Sequence, residues 1–363
     1  MDRRARLQEL AAAARPLELD ASARAQETEA VQRYVENWLQ ALPEKPVYMP
    51  DRAQAAADAL GIAEQGSDID EALRILAEQV DNSGQNLGSS RFFAYIPSGG
   101  LYPAALGDYL AAAINRYAGV DYAAPGAARL ENGLLAWLAG EIGYPYTARG
   151  DLASGGSIAT LSAVVAARER QRIGPAEVER GCVYLTRLTH HCVRKALQIA
   201  GLAQSQVREV PLDANYRMDI GALREQIAAD KAAGLKPWLL VGSAGTTDLG
   251  SVDPLPALAD IAAEEGLWLH VDAAYGGAFA LCETGRQRLA GMERSDSLVI
   301  NPHKGLFLPT GLGILLVRDG SALYEAFHER GSYMQDADGS GPALSACDFS
   351  PELTRPFRGL RLW

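Results

Sequence analysis

A lysine follows an apolar segment that ends in a polar turn, in SLVINPHKG at residues 297–305. In open α/β sheets, ligands bind outside the carboxyl ends of the strands. A partly desolvated lysine at that edge becomes a nucleophile, because burial lowers its affinity for a proton. Lys304 is therefore a candidate catalytic amine, with Asn301 and His303 close to it in the sequence. The alternative is a solvated surface lysine, which is the commoner location of this residue type.

A carboxylate ends a second apolar segment, LWLHVDAAYGGAF at residues 267–279. Small residues follow Asp272, and they allow a planar ligand to approach closely. A carboxylate in this position favours a cationic partner. If that partner is a pyridinium nitrogen, the protonated ring accepts the electron pair left when a bond at a substrate α-carbon breaks. The alternative is an aspartate at a strand end that caps a helix.

Paired glycines lie in DLASGGSIATL at residues 151–161, before a helix predicted to begin near Ile158. Backbone N–H groups at a helix N-terminus form an anion site suited to a phosphate, and glycines keep side-chain bulk away from it. The spacing matches neither the dinucleotide Gly-x-Gly-x-x-Gly pattern nor the nucleotide-triphosphate loop that ends in Gly-Lys-Ser/Thr. A simple capped helix start is the alternative.

Two adjacent histidines, His190 and His191, follow another apolar segment in CVYLTRLTHHCVRKAL at residues 182–197. Adjacent histidines on a turn are expected to point in different directions, so a shared metal ion is not predicted. One imidazole would stack on a cofactor ring; the alternative is a histidine at a helix start without a ligand. Thr246 and Thr247 add hydroxyl groups at another strand end. Together these segments supply an amine, a carboxylate, a phosphate cradle and a stacking ring, which is the set that pyridoxal phosphate (PLP) requires.

From about residue 150, short β-branched segments alternate with alanine-rich helical patterns. That alternation is typical of βαβ units around a mainly parallel sheet, and it predicts an α/β sandwich. Strands are predicted at CVYLT, WLLVGSA, LWLHVDA, SLVINP and GILLVRD, and helices at SIATLSAVVAARERQ, HCVRKALQIAGL, DIGALREQIAADKAAG and DPLPALADIAAEEG. Residues 1–90 are predicted as an N-terminal helical segment and residues 91–330 as a large α/β domain. Residues 331–363, rich in Gly, Asp, Ser and Pro, are predicted as a mobile loop and the start of a truncated C-terminal region.

Composition narrows the class of partner. The 363 residues are 48% hydrophobic, which suffices for a large core, and the formal net charge of −11 argues against nucleic acid or an anionic membrane surface. Small molecules are the expected partners. The four cysteines form no Cys-x-x-Cys pair, so neither a disulfide framework nor a zinc site is predicted, and reduced thiols in a cytoplasm are expected. No segment reaches the roughly eighteen consecutive apolar residues of a membrane-spanning helix, and the charged N-terminus does not fit a signal peptide.

The chain resembles the group II PLP-dependent decarboxylases, the family of the aromatic-L-amino-acid and glutamate decarboxylases, from about residue 85 to its end. Three blocks in the family's order are the most specific: residues 154–157 (SGGS), 270–275 (HVDAAY) and 301–304 (NPHK). Weaker likenesses are residues 93–95 (FAY), Pro125 with Glu131, and residues 358–363 (RGLRLW).

The resemblance implies a fold-type I, three-layer α/β/α sandwich with a mainly parallel central sheet. It also implies that Lys304 carries PLP as a Schiff base and that Asp272 pairs with the pyridine nitrogen. His190 would stack on the ring as a catalytic residue, and Ala274 would pack against the other face of the ring. The remaining cofactor contacts are assigned to Gly156, Ser157, Thr247, His303 and Asn301.

The activity implied by the resemblance is decarboxylation of an L-amino acid to its amine and CO2, through the Lys304 Schiff base and a quinonoid intermediate. Tyr333, on a mobile loop, would protonate the product carbanion. The substrate pocket is assigned to Tyr95, Ile96, Pro97 and Ser98, partly across the interface of a cytoplasmic homodimer. Ile96 stands where several aromatic-specific members carry an aromatic residue, so the side chain of the substrate stays open.

Two alternatives remain. Lys304 and Asp272 would serve an aminotransferase, a lyase or a decarboxylating aldehyde synthase equally well, because the groups around the substrate decide between these reactions. Family members also continue past the RGLRLW block into a small C-terminal domain. The second alternative is therefore a truncated, inactive chain or an oligomerisation module.

Overall fold

The computed structural model describes residues 2–50, 61, 64–96, 99–329 and 344–363. Internal contacts divide the chain into two units, Met1–Ala94 and Tyr95–Trp363. The described part of the first unit contains helices α1 (Arg3–Ala14), α2 (Ala21–Ala41) and α3 (Ile69–Leu76), and an antiparallel pair of two-residue strands, β1 (Tyr48–Met49) and β2 (Gly84–Gln85). Asp20 and Asp68 cap α2 and α3 by accepting hydrogen bonds from backbone N–H groups at 2.8 Å. The described part of this unit is mainly helical, as the sequence predicted, and the boundary near residue 90 stays a prediction.

The second unit is built on a seven-stranded sheet. Its strands are β3 (Arg149–Ala153), β4 (Gly181–Leu185), β5 (Gln206–Glu209), β6 (Lys236–Ser243), β7 (Trp268–Asp272), β8 (Ser297–Ile300) and β9 (Gly313–Val317). They are ordered β3-β9-β8-β7-β6-β4-β5, and β9 runs antiparallel to both of its neighbours, while the other pairs are parallel. The mainly parallel sheet is confirmed. The predictions missed β3 and β5, because RGDLA and QVRE are short and contain few of the β-branched residues that mark strands.

Helices cover both faces of this sheet, which confirms the three-layer sandwich. The described helices of the unit are α4 (Tyr102–Ile114), α5 (Pro125–Ile142), α6 (Gly156–Arg170), α7 (Cys192–Ile199), α8 (Ile220–Ala232), α9 (Leu255–Glu265), α10 (Glu283–Arg288), α11 (Pro302–Gly305), α12 (Ser321–Phe327) and α13 (Gly359–Leu362). Val183 and Tyr184 are neighbours on β4, yet Val183 packs in the core under α6, α7 and α12 and Tyr184 in the core under α5, α8 and α9. Within the described residues, no helix is long and apolar enough to cross a membrane.

The last described segment of the chain is bound to β3 through two buried arginines. Arg355 and Arg358 each donate a hydrogen bond to the carbonyl oxygen of Leu152, at 2.9 and 2.8 Å. Arg355 also forms ion pairs with Glu131 at 3.2 Å and with Asp151 at 3.4 Å. Burial raises the pKa of Asp151 to about 6, and the two arginines oppose that rise. The strand that leads into the 154–157 turn is therefore held by the C-terminal segment.

Candidate active site

A cavity of about 270 Å³ opens at the carboxyl edge of the sheet in the second unit, and we call it the strand-end cavity. Parallel strands place their carboxyl ends at one edge, so residues distant in sequence meet there. The cavity wall contains all the residues that the sequence assigned to the cofactor: Gly156, Ser157, His190, Thr247, Asp272, Ala274, Asn301, His303 and Lys304. The structure thus brings this set together, and their individual roles stay predictions.

Asp272 is the last residue of β7 and is fixed by neighbouring backbone. Its carbonyl oxygen accepts a hydrogen bond from Ala244 N at 2.9 Å, and its Oδ1 accepts one from Ala274 N at 3.1 Å. Ser243, at the end of β6, stands opposite Asp272 in the parallel ladder. The carboxylate therefore lines the cavity from a rigid strand end and not from a loose loop.

A buried histidine lies two residues before Asp272 on the same strand, and alternation along a strand puts both side chains on one face. His270 Nδ1 lies 2.8 Å from Ser297 Oγ, which also accepts a hydrogen bond from Trp268 Nε1 at 2.9 Å. Burial lowers the pKa of His270 to about 4, so its imidazole is neutral near pH 7. The layer beneath Asp272 therefore contributes no positive charge of its own.

His190 lines the cavity just before α7. Its Nδ1 accepts a hydrogen bond from Cys192 N at 3.3 Å, which assigns the ring proton to Nε2. Burial, followed by the charge of His191, lowers the pKa of His190 below its ordinary value. A neutral imidazole with a free Nε2–H is the form that can pack on a ring and donate to an acceptor.

The two adjacent histidines face different surroundings, as expected, although their rings lie close together. Their ring centroids lie 4.1 Å apart, and the ring planes are tilted by 40°. His191 already has helical backbone angles, φ −59° and ψ −16°, so the tight turn into α7 brings the neighbouring rings together. Only His190 of this pair lines the cavity, while His191 is exposed. Within the residues described, no group of three or more histidine, cysteine or acidic side chains is arranged to hold a metal ion.

The glycine turn starts α6 at Gly156, two residues before the predicted start near Ile158. The first N–H groups of a helix have no acceptor within it, and Gly156 and Ser157 provide such groups in the cavity wall. Gly313, the first residue of β9, packs so closely that a Cβ there would lie 2.4 Å from the carbonyl carbon of Gly155. The turn is therefore held in place by backbone packing.

Lys304 lies on α11, a single helical turn directly after β8. Its N–H donates to the carbonyl oxygen of Asn301 at 2.9 Å, and Asn301 N donates to the carbonyl oxygen of Ala274 at 3.0 Å. The lysine turn and the segment that follows Asp272 are thus joined by backbone hydrogen bonds. His303 Nδ1 lies 3.3 Å from the carbonyl oxygen of Leu312, and burial lowers the pKa of His303. Its Nδ1 therefore donates, which leaves Nε2 as an acceptor.

Two of the four residues assigned to the substrate pocket, Tyr95 and Ile96, lie within the described part of the chain. Tyr95 and Ile96 are absent from the wall of the strand-end cavity. Both have left-handed backbone angles, with φ values of 63° and 55°, which are unusual for residues other than glycine. Pro97, Ser98 and the loop residue Tyr333 lie outside the described residues. These assignments remain predictions.

Several wall residues were given no role from the sequence, among them Thr160, Cys192 and Ser243. Thr160 Oγ1 lies 3.6 Å from Cys192 Sγ, and burial raises the pKa of the Cys192 thiol to about 11, so it stays protonated. Helical spacing was the available signal for Thr160, because it stands four residues after Gly156 on one face of α6. Ser243 required the register between β6 and β7, which one sequence does not give.

The Pyridoxal-dependent decarboxylase conserved domain matches residues 47–363, which is most of the chain. The chain belongs to this decarboxylase family. An aromatic-L-amino-acid decarboxylase of Bacillus atrophaeus is 34% identical to this chain over 303 residues. The matched region covers 83% of this chain and 63% of the relative. Tryptophan decarboxylase 1 of Oryza sativa subsp. japonica is 33% identical over 338 residues, covering 88% of this family member and 65% of the relative.

Solved structures of the decarboxylase family agree with the fold. The crystal structure of Oryza sativa TDC with PLP and tryptamine superposes with a TM-score of 0.89 at 30% identity, covering 95% of this chain and 74% of that chain. The chain spans somewhat under two thirds of the length of the two relatives from Bacillus atrophaeus and Oryza sativa. The fold-type I architecture expected from the resemblance is confirmed.

Proposed function

We propose that this chain binds PLP through Lys304 and that the protein decarboxylates an L-amino acid to the corresponding amine and CO2. One observation carries the proposal: an amine, a carboxylate and a glycine-built helix start lie in the wall of one cavity. Membership of the decarboxylase family supports the same reaction. The relatives named above act on aromatic amino acids by their names, so aromatic L-amino acids are the first substrates to test.

The residues present fit PLP in three respects. The Lys304 amine suits the aldehyde of the cofactor, and the Asp272 carboxylate suits its ring nitrogen. A Cβ at Gly156 would lie 2.5 Å from Asn301 Oδ1, so this position in the cradle accepts only glycine without displacing Asn301. Asn301 Oδ1 is buried and has no hydrogen-bond partner among the described residues, which leaves an acceptor for a bound group.

When bound, PLP supplies an electron sink for the electron pair released as the carboxylate leaves the α-carbon. Asp272 would place a negative charge at the ring nitrogen, and the neutral His270 beneath it would not offset that charge. His190, with its proton on Nε2, would pack on the ring, and Ala274 would lie against its other face. Gly156 and Ser157 would bind the phosphate through backbone N–H groups, with His303 and Thr247 in the same cavity wall. Lys304 Nζ or the hydroxyl of Tyr333 returns a proton to the α-carbon.

We further propose that the protein is a cytoplasmic homodimer in which Tyr95, Ile96, Pro97 and Ser98 reach the substrate pocket, partly from the partner subunit. The exposed side chain of Tyr95, with 77% of its surface accessible, supports a position at an interface. Sedimentation equilibrium of the purified chain tests the dimer. A monomer that decarboxylates at full rate would remove the interface from this proposal.

The assignment of Lys304 is tested by substitution. Purified chain reconstituted with PLP is expected to show the visible absorbance of lysine-bound cofactor, and Lys304→Ala is expected to lose it. Lys195→Ala is the matched control, because Lys195 is an exposed lysine on α7 outside the cavity wall. If the Lys304→Ala protein keeps the absorbance, another amine carries the cofactor.

The reaction is tested with a panel of amino acids, scoring CO2, amine, aldehyde and keto acid separately. CO2 and amine in equal amounts support decarboxylation. Aldehyde in place of amine, or keto acid without CO2, identifies one of the alternative PLP reactions. Tyr333→Phe then tests the proton donor: an amine yield equal to that of the unsubstituted chain removes Tyr333 from the mechanism.

A further inference from the structure

A second cavity of about 280 Å³ adjoins the strand-end cavity, and we call it the side cavity. Gly245 and Tyr275 line both cavities and form the wall between them. The side cavity extends away from that wall, between the loop after β6 and the segment that leads into α10. It is not needed for the reaction proposed above, because the cofactor residues all line the strand-end cavity.

Most residues that line the side cavity are apolar or glycine, and their backbone is closely packed. A Cβ on Gly276 would lie 2.1 Å from the carbonyl oxygen of Ala244, and a Cβ on Gly285 would lie 1.8 Å from that of Phe279. Tyr275 and Phe279 meet edge to face, with ring centroids 5.5 Å apart. The backbone therefore forms a firm floor beside two aromatic rings, which suits a flat apolar group.

Among the described residues, the side cavity is lined by one positively charged side chain and by no negatively charged one. Arg288, an exposed residue of its wall, has no ion-pair partner among the described residues, whereas Arg286 on the same helix lies 3.5 Å from Glu141 and 3.7 Å from Glu283. No aspartate or glutamate within the described chain lines this cavity. A ligand is thus offered an unpaired guanidinium and no carboxylate. This arrangement favours an anion, because an arginine fork binds a carboxylate through charge-assisted hydrogen bonds.

We propose that the side cavity binds a small monocarboxylate that carries a flat apolar body and no amino group, such as an arylalkanoic acid. The carboxylate pairs with Arg288, and the apolar body packs against Tyr275, Phe279 and Leu289. An amine carries no negatively charged group that could pair with Arg288. An α-amino acid brings an ammonium group for which the cavity offers no acidic side chain, and burying that group unpaired is unfavourable. The ligand class therefore differs from both the substrate and the product of the proposed reaction.

Cys282 provides a local readout, because this exposed thiol lines the side cavity and not the strand-end cavity. The experiment measures the rate at which iodoacetamide alkylates Cys282 in the PLP-loaded full chain, by mass spectrometry of the peptide. The probe is 3-phenylpropionate, compared with 2-phenylethylamine and L-phenylalanine. We expect 3-phenylpropionate to slow alkylation in a saturable way and the other two compounds to leave the rate unchanged.

Two variants locate the anion. In Arg288→Gln, the probe concentration that halves the alkylation rate is expected to rise about tenfold, which corresponds to the loss of one charge-assisted contact. Arg286→Gln is the matched control. In this variant 3-phenylpropionate is expected to protect Cys282 as it does in the unsubstituted chain, because Arg286 lies outside the cavity wall. Far-ultraviolet circular dichroism and thermal melts verify that both variants fold, and calorimetric titration with 3-phenylpropionate measures binding independently of the thiol.

Four results would overturn the proposal. They are the absence of protection, equal protection by 2-phenylethylamine, equal protection in Arg288→Gln, and an alkylation rate that falls with protein concentration alone. The last result would mean that a second copy of the chain covers the cavity. If Lys304→Ala loses the PLP absorbance but still shows carboxylate protection at Cys282, the two sites are independent. The proposal for the side cavity can therefore be wrong while the proposed reaction is right, and the proposed reaction can be wrong while the side cavity binds its ligand.

Discussion

The amide of Asn301 packs directly against the Cα atom of Gly156, so that a Cβ on this glycine would lie 2.5 Å from Asn301 Oδ1 and 2.6 Å from Asn301 Nδ2. The two residues come from different segments, the turn that starts α6 and the turn that follows β8. Their contact joins the candidate phosphate cradle to the turn that carries Lys304. The contact therefore ties the backbone of the cradle to the backbone of the turn that carries Lys304.

Gly156→Ala is expected to weaken PLP binding by about ten- to hundredfold, since an overpacked methyl group costs about 1–3 kcal/mol and must displace Asn301. Titration of the apo protein with PLP, followed by absorbance, measures the change. Gly155→Ala is the matched control, because no heavy atom lies within 4 Å of a Cβ at that position. Equal losses in both variants would show that the effect does not come from Asn301.

Asp272→Asn is expected to lower kcat/KM for the preferred amino acid by about a hundredfold or more, the scale of removing one preorganised electrostatic group. The substitution preserves the shape of the side chain and removes its negative charge. The hydrogen bond from Ala274 N at 3.1 Å can be kept by the asparagine oxygen, so the fold is expected to persist. Steady-state kinetics with CO2 release check the rate, and an unchanged kcat/KM would exclude a role for the charge.

His270 is expected to make the fold sensitive to acid. Its pKa is lowered by burial to about 4 in the folded chain, from about 6.5 in an unfolded one. Between these two values the unfolded chain binds more protons, so the free energy of unfolding rises with pH. The stabilisation is fully present above about pH 6.5 and is lost as the pH falls towards 4.

The size of this effect is measurable by urea denaturation at pH 7 and pH 5. The free energy of unfolding is expected to fall between pH 7 and pH 5 in the unsubstituted chain. In His270→Leu we expect this fall to be smaller by about 2 kcal/mol. The variant is less stable at pH 7, because Ser297 loses its partner at 2.8 Å. Parallel pH dependences of the two proteins would assign the acid sensitivity to other groups.

Arg355→Met is expected to destabilise the second unit by about 3–5 kcal/mol, because it leaves Glu131 and Asp151 buried without their shared cation. Chemical denaturation of the two proteins measures the difference. Arg224→Met is the matched control: its ion pair with Glu264 is exposed on both sides and is expected to contribute no more than about 1 kcal/mol. A loss for Arg355→Met as small as that of the control would show that the buried acids are protonated and need no partner.

The strand ends were predictable from local sequence alone. The apolar segments before Asp272 and Asn301 and the paired glycines before α6 each predict a strand end or a helix start, because the pattern involves neighbours in the chain. The rule that ligands bind at the carboxyl edge of a parallel sheet then predicts that Lys304 and Asp272 meet. The order of the three motif blocks added the family, which the domain match confirms.

What the sequence determined by itself is thus the identity of the groups assigned to the cofactor, because each depends on a short-range pattern of residue types. Only the tertiary structure placed Ser243 beside Asp272, packed Asn301 on Gly156 and opened the side cavity at Arg288. These contacts join segments far apart in the chain, and they depend on strand register and packing. Register and packing are decided when the whole sheet and its two helical layers fold together.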